Sequence, residues 1–105
     1  MDAVFKALAD PVRRELLDSL RERGGQTLSQ LTQGREMTRQ AVTKHLAVLE
    51  CASLVASEKR GREKLHYLNA VPIQEIADRW IGKYERERLA ALADLKRRLE
   101  GETDG

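Results

Sequence analysis

The chain of 105 residues carries 19 Lys and Arg against 17 Asp and Glu, a formal net charge of +2, with 41% hydrophobic and only 4% aromatic residues. That length argues for one domain whose core is built from Leu, Val, Ile and Ala, and at this size a partner subunit would help. A lone cysteine, Cys51, excludes an intrachain disulfide, no run reaches the length of a membrane span and no signal peptide is visible, so the expected compartment is the cytoplasm.

Residues 2–9 predict a short helix with Val4, Phe5 and Leu8 on one side. Asp10-Pro11 then punctuates the chain: Asp10 can cap the next helix, and Pro11 suits its first position, where a missing N–H costs nothing. That helix runs to about residue 23 with Val12, Leu16, Leu17 and Leu20 inward, and Gly24-Gly25 ends it. Arg13 and Arg14 have two readings, phosphate contact or pairing with acidic residues on neighbouring helices, and the sequence leaves both open.

Thr27-Leu28-Ser29-Gln30 has the form of a capping box, Thr27 as cap and Gln30 three residues on. A short helix follows that sets Leu28 and Leu31 against the core, and Gly34 closes it. The next helix, residues 38–50, carries Val42, Leu46 and Leu49 on one stripe. Thr38 is its N-cap, and Met37 and Val42 occupy the positions of a hydrophobic staple. Its outer face holds Arg39, Gln40, Thr43 and Lys44, with no acid among them. Short helix, brief turn with Gly, longer helix with a polar outer face: this is the helix-turn-helix pattern. In such a motif the second helix lies in the major groove, its N-terminal residues at base edges. Taken alone, the stretch reads equally well as a solvated amphipathic helix. His45, beside the apolar stripe, reads as a hydrogen-bonded structural histidine rather than a base contact.

Residues 54–60 and 63–69 read as two strands, Leu65 and Tyr67 sharing one face by period two. Gly61-Arg62 forms the turn, so Lys59, Arg60 and Arg62 crowd the tip of a hairpin without an intervening acid. A charged tip is usually just solvated; directly after a helix-turn-helix, a DNA-contacting wing is the preferred reading. Residues 72–100, entered at Pro72, predict one long helix of ~43 Å. Ile73, Ile76, Ala77, Trp80, Ile81 and Tyr84 make a broad apolar face, continued by Leu89, Leu92, Leu95 and Leu99. That is more apolar surface than one small core needs and reads as a protein interface in preference to a helix folded back onto its own core. The tail, Gly101 to Gly105, is expected to be disordered, leaving residues 1–100 as the domain.

Three segments resemble the arsenic-repressor-like (ArsR/SmtB) family of winged helix-turn-helix regulators. Leu8-Ala9-Asp10-Pro11-Val12-Arg13-Arg14-Glu15-Leu16-Leu17 resembles the family's N-terminal signature. Gln40-Ala41-Val42-Thr43-Lys44-His45-Leu46-Ala47-Val48-Leu49 resembles its recognition helix. Leu54-Val55 through Arg60-Gly61-Arg62 to Tyr67-Leu68 resembles its wing. The resemblance implies a mainly α fold with a small β-hairpin, ordered α-α-α-α-β-β-α. It also implies a homodimer paired through its first and last helices on an imperfect palindrome in double-stranded operator DNA, usually as a repressor. Carried over by position, Thr38, Arg39, Gln40, Thr43 and Lys44 would face the groove, Thr27 would hold a phosphate, and Lys59, Arg60 and Arg62 would meet the backbone or minor groove. Val4, Phe5, Leu8, Trp80, Tyr84, Leu92, Leu95 and Leu99 would form the dimer interface.

Two departures stand out. Residues 27–50 hold no Cys, and residues 72–100 hold no Cys or His, where many relatives place metal ligands. No metal and no cofactor is therefore expected, as in the non-metal branch of the family, and any small-molecule effector is unidentified. Ser53 stands where relatives usually have Gly at the end of the recognition helix, so that cap is expected to be rearranged. Cys51 reads as inert rather than as a redox sensor. With no nucleophile–base pair, phosphate loop or metal cluster visible, the reading is a sequence-specific DNA-binding repressor and not an enzyme. The alternative is a winged-helix protein-interaction module without specific DNA readout.

Overall fold

A computed structural model describes residues 1–103, apart from the side chains of Tyr84, Glu102 and Thr103. Its elements are α1 (Asp2–Leu8), α2 (Pro11–Glu22), α3 (Leu28–Thr32), α4 (Arg39–Cys51), β1 (Val55–Arg60), β2 (Glu63–Leu68), α5 (Val71–Ile76), a π-helical segment (Ala77–Ile81) and α6 (Gly82–Thr103). Contacts divide the chain into two units, Met1–Ile73 and Gln74–Gly105.

In the first unit, aliphatic stripes from three helices meet. Leu16, Leu17 and Leu20 of α2, Leu31 of α3, and Val42, Leu46 and Leu49 of α4 are buried together with Leu54 and Val55. Each such side chain contributes about 1.5–3 kcal/mol on burial. Side-chain caps fix where the helices begin. The Asp10 carboxylate accepts from the N–H groups of Val12 and Arg13 at 2.8 and 3.2 Å. Partial burial works to raise the pKa of that carboxyl, but those two bonds, with His45 and Arg13 nearby, outweigh it and hold it below its ordinary value. The capping box at Thr27 and Gln30 is present in both directions.

Two arginines of α2, Arg13 and Arg14, serve the C-terminus of α1. Arg13 donates to the carbonyls of Ala7 and Lys6, and Arg14 to that of Leu8 at 2.7 Å. Arg13 also reaches Nδ1 of His45 at 3.3 Å. A guanidinium can only donate, so His45 Nδ1 accepts and its proton sits on Nε2. His45 thus has a structural role, tying α4 to α1 through one side chain. Arg35 ties the turn between α3 and α4 to α2, donating to Leu31 O and pairing with Glu15 at 3.0 Å.

The hairpin pairs Val55 with Leu68 through Arg60 with Glu63, antiparallel, leaving Gly61-Arg62 as a two-residue turn with Gly61 at φ +64°. Leu65 and Tyr67 do share a face, but they are only half-buried; the residue of β2 turned into the core is His66. The reason is a bridge to Gln26. His66 N donates to Gln26 O at 2.9 Å, and Gly25 N and Gln26 N both donate to His66 O. His66 Nδ1 lies 2.9 Å from Gln26 O, and a carbonyl can only accept, so that nitrogen carries the proton. The buried Gln26 amide donates in turn to Ser19 O, Ser19 Oγ and Arg23 O.

The cap after α4 keeps its usual form, contrary to the expected rearrangement. Ser53 adopts φ +60°. Leu54 N donates to Leu49 O and Ser53 N to Glu50 O, the paired bonds of a Schellman motif, and both leucines are fully buried. Asn69 Nδ2, donating to Ser53 O at 2.8 Å, anchors the strained residue from beyond the hairpin.

In the second unit, the expected single helix is interrupted. Gly82 N donates to Ala77 O, five residues back, which is the widened bond of a π-turn. A Cβ at Gly82 would sit 3.2 Å from that same carbonyl, closer than ordinary contacts, so Gly suits the position. The helix then continues to Thr103, past the expected stop at residue 100, so Gly101–Thr103 are helical rather than tail. Asp104 and Gly105 lie outside the described residues. Among the described residues no helix is long and apolar enough to cross a membrane.

Two stability measurements follow from these contacts. Ser53→Gly relieves the left-handed strain and is expected to raise stability by about 0.5–1 kcal/mol, a rise in Tm of a few degrees by thermal unfolding; an unchanged or lower Tm contradicts the strain. Gln26→Ala removes the buried amide and its three donor contacts to part-buried carbonyl and hydroxyl oxygens, and is expected to cost about 1–3 kcal/mol in urea unfolding.

Candidate nucleic-acid interface

The N-terminal turn of α4 is set by Thr38, whose hydroxyl accepts from Ala41 N at 3.1 Å. This determines which side chains lead the helix. Gln40 and Lys44 are exposed and have no hydrogen-bond or ion-pair partner among the described residues. Thr43 is exposed too, but its hydroxyl donates back to Arg39 O at 2.8 Å. Its remaining lone pairs and its methyl group are what it can offer a partner, the methyl being of the kind that suits the methyl of thymine. Arg39 is exposed at the base of the helix, and its guanidinium donates to Ser29 Oγ of α3 at 3.0 Å.

At the wing, Lys59, Arg60 and Arg62 are exposed and unpartnered among the described residues. Lys64, one residue past the turn strand's start, pairs with Glu50 of α4 at 3.1 Å, and His66 Nε2 lies 3.9 Å from the same carboxylate oxygen. Glu50 therefore links the end of the recognition helix to the wing. Thr27, Ser29, Arg39, Arg62 and Lys64 line one cleft of about 230 Å³ with Leu28 and Glu63. The cleft brings together three of the expected DNA contacts, Thr27, Arg39 and Arg62. Lys59 and Arg60 are not among its lining residues, and neither are Thr38, Gln40, Thr43 and Lys44, which stand along α4.

Sequence reasoning missed Ser29, Lys64 and Glu50. A sequence signal existed for Lys64, a cation two residues after the hairpin turn. None existed for the Ser29–Arg39 contact, which depends on how α3 and α4 cross.

Of the residues expected at a dimer interface, Val4 stands apart. It is buried in the core of its own unit, because α1 packs that side against α2 and α4. Leu8 is half-buried, and Phe5, Trp80, Leu92, Leu95 and Leu99 are exposed. Arg79 stacks over the Trp80 ring at 5.1 Å from its centroid. The side chain of Tyr84 lies outside those described. Cys51 is a free, exposed thiol. Among the described residues no group of three His, Cys, Asp or Glu side chains converges to hold a metal ion.

Residues 8–58 match the model of a helix-turn-helix domain. The chain is 43% identical over 86 residues to the uncharacterised HTH-type transcriptional regulator YuzN of Bacillus subtilis, covering 76% of this chain and 94% of that protein. It is 29% identical to the transcriptional repressor SdpR of the same organism, over 71% of this chain and 82% of that one. Among solved structures, an ArsR-like transcriptional regulator from Rhodococcus superposes with a TM-score of 0.72 at 35% identity, over 91% of this chain and 89% of the other. A capped recognition helix whose first turns carry no acid on the outer face, a cationic two-residue wing turn and these likenesses converge: the chain belongs to the ArsR-like family of winged helix-turn-helix, DNA-binding transcriptional regulators.

Proposed function

We propose that the protein is a cytoplasmic repressor that binds a palindromic operator as a homodimer, each protomer placing α4 in the major groove and its hairpin against the adjacent backbone or minor groove. The observation that carries this is the shared cleft: the first turn of α4 and the wing open onto one surface, which offers Arg39 and Arg62 together. Two elements that must touch one duplex are thereby held on one face by Glu50, Lys64 and the Gln26–His66 bridge. The repressor name carried by SdpR supports the direction of regulation.

Phosphate contacts supply most of the affinity and make it fall with salt; base edges supply the choice of site. Gln40, Thr43 and Lys44 are the side chains for the second task. Gln matches the N6/N7 edge of adenine, and Lys the O6/N7 edge of guanine. Dimerisation uses the exposed apolar residues Leu92, Leu95 and Leu99 of α6 with Phe5 and Leu8 of α1. An apolar stripe of this kind, rimmed by the charges of Asp94, Lys96, Arg97 and Arg98, is the signature of a surface built for a partner.

Two expected outcomes test the proposal. Gln40→Ala should reduce discrimination at its base pair by about 1–3 kcal/mol while leaving affinity for unrelated duplex unchanged, measured by binding to operator variants; unchanged discrimination removes Gln40 from the readout. Leu92→Glu combined with Leu95→Glu should convert the protein to single chains in sedimentation and abolish the gel shift of the region upstream of its own gene. A dimer that survives both substitutions moves the interface elsewhere. A wild-type protein that gives no shift at physiological salt favours a protein-interaction role for that apolar face.

A further inference from the structure

We propose that the cleft between α3, the first turn of α4 and the wing seats one backbone phosphate, and that Ser29 is the positioning residue that turns Arg39 into it. This rests on the DNA-binding reading above. It reassigns Arg39, which the sequence groups with the base-reading residues, to the phosphate.

Arg39 is the first residue of α4, and its Nη1 donates to Ser29 Oγ at 3.0 Å, across to the neighbouring helix. That bond directs the guanidinium along the surface between α3 and α4. Reaching a base edge from this pose would break it. Held in this way, the guanidinium keeps its remaining N–H donors for a second acceptor, and a planar fork with fixed donors fits two oxygens of a phosphate. The acceptor's place is the cleft of about 230 Å³ that Arg39 lines with Arg62 and Lys64. Three cations face one carboxylate there, Glu63. Lys64 is partly committed to Glu50 at 3.1 Å, so Arg39 and Arg62 are the principal charges. Arg62 has no partner among the described residues.

The same cleft limits what Thr27 can do. Its N–H donates to Gln30 Oε1 at 2.8 Å, and its hydroxyl oxygen accepts from Gln30 N at 3.2 Å. The backbone donor is therefore taken, and only the hydroxyl hydrogen is left for an anion. Thr27 is at most an auxiliary to the two guanidinium groups. Gln40, the next residue along α4, has no such tether and is left as the leading base reader.

The test is a fluorescence-anisotropy titration of the full-length protein with two duplexes, the region upstream of its own gene and a shuffled version, across a salt series. Arg39→Ala should weaken binding to both by the same factor, about tenfold. It should also reduce the slope of log K against log salt by about one per bound protomer. Arg39→Lys should keep the slope and lose the dependence on Ser29. Ser29→Ala should cost about two- to threefold in the wild-type background and nothing further in the Arg39→Ala background. Both positions are exposed, and unchanged thermal unfolding confirms that each variant folds. An Arg39→Ala loss confined to the upstream duplex, with the slope unchanged, makes Arg39 a base reader and overturns the proposal. Additive costs of Ser29→Ala and Arg39→Ala overturn the positioning role. A wild-type protein that binds neither duplex has no slope to compare and brings down the DNA-binding reading itself.

Discussion

The bridge between Gln26 and His66 is the constraint from which the DNA-facing geometry follows. Three backbone hydrogen bonds and the His66 ring join the loop before α3 to the returning strand of the hairpin. The Gln26 side chain carries the tie further, to the last turns of α2 through Ser19 and Arg23. A two-stranded hairpin alone is marginally stable in water. Here it is pinned at mid-strand to the helical core, which sets the height and angle at which the wing tip stands beside α4. Buried polar groups of this kind are costly unless fully satisfied, and no buried side-chain polar atom among the described residues lacks a partner. The network therefore specifies one wing position and penalises others.

A second tie acts at the opposite end of the recognition helix. The Schellman turn at Ser53, with Leu54 folded back on Leu49, makes the chain reverse sharply from α4 into β1. Thr38 fixes the start of α4 and Ser53 its end, so the rotation of the helix about its axis is set from both termini. Arg13 adds a link from α1 to His45 midway along the helix. The exposed side chains proposed to face bases are consequently presented by an element fixed at both ends. A rigid element reads sequence well because little ordering entropy remains to be lost on binding.

Much of this was legible in the sequence because it rests on local chemistry. The capping box at Thr27, the cap at Thr38, the apolar spacing of Val42, Leu46 and Leu49 and the Gly61 turn each need only neighbours in the chain. What was not legible depends on distant partners. Nothing near Gln26 or His66 announces that they pair across 40 residues, and the alternation of β2 pointed to Leu65 and Tyr67 instead. Arg13 and Arg14 found backbone carbonyls of α1, an acceptor that no charge-pairing argument considers. Ser53 shows the limit of residue preference: a left-handed serine is unfavourable by itself, yet paired backbone bonds and Asn69 hold it there. The π-turn before Gly82 escaped because its period differs from that of an α-helix by one residue in a single turn, too little to disturb an apolar pattern that spans the whole segment.

We propose that two capped recognition helices, one from each of two copies of the chain, address successive major-groove turns of one duplex. Hydroxyl-radical footprinting of the full-length protein on the DNA upstream of its own gene tests it most directly. The account predicts two symmetric protected patches whose centres lie about 10–10.5 base pairs apart, or a multiple of that spacing. A single patch, or uniform weak protection along the fragment, would contradict it.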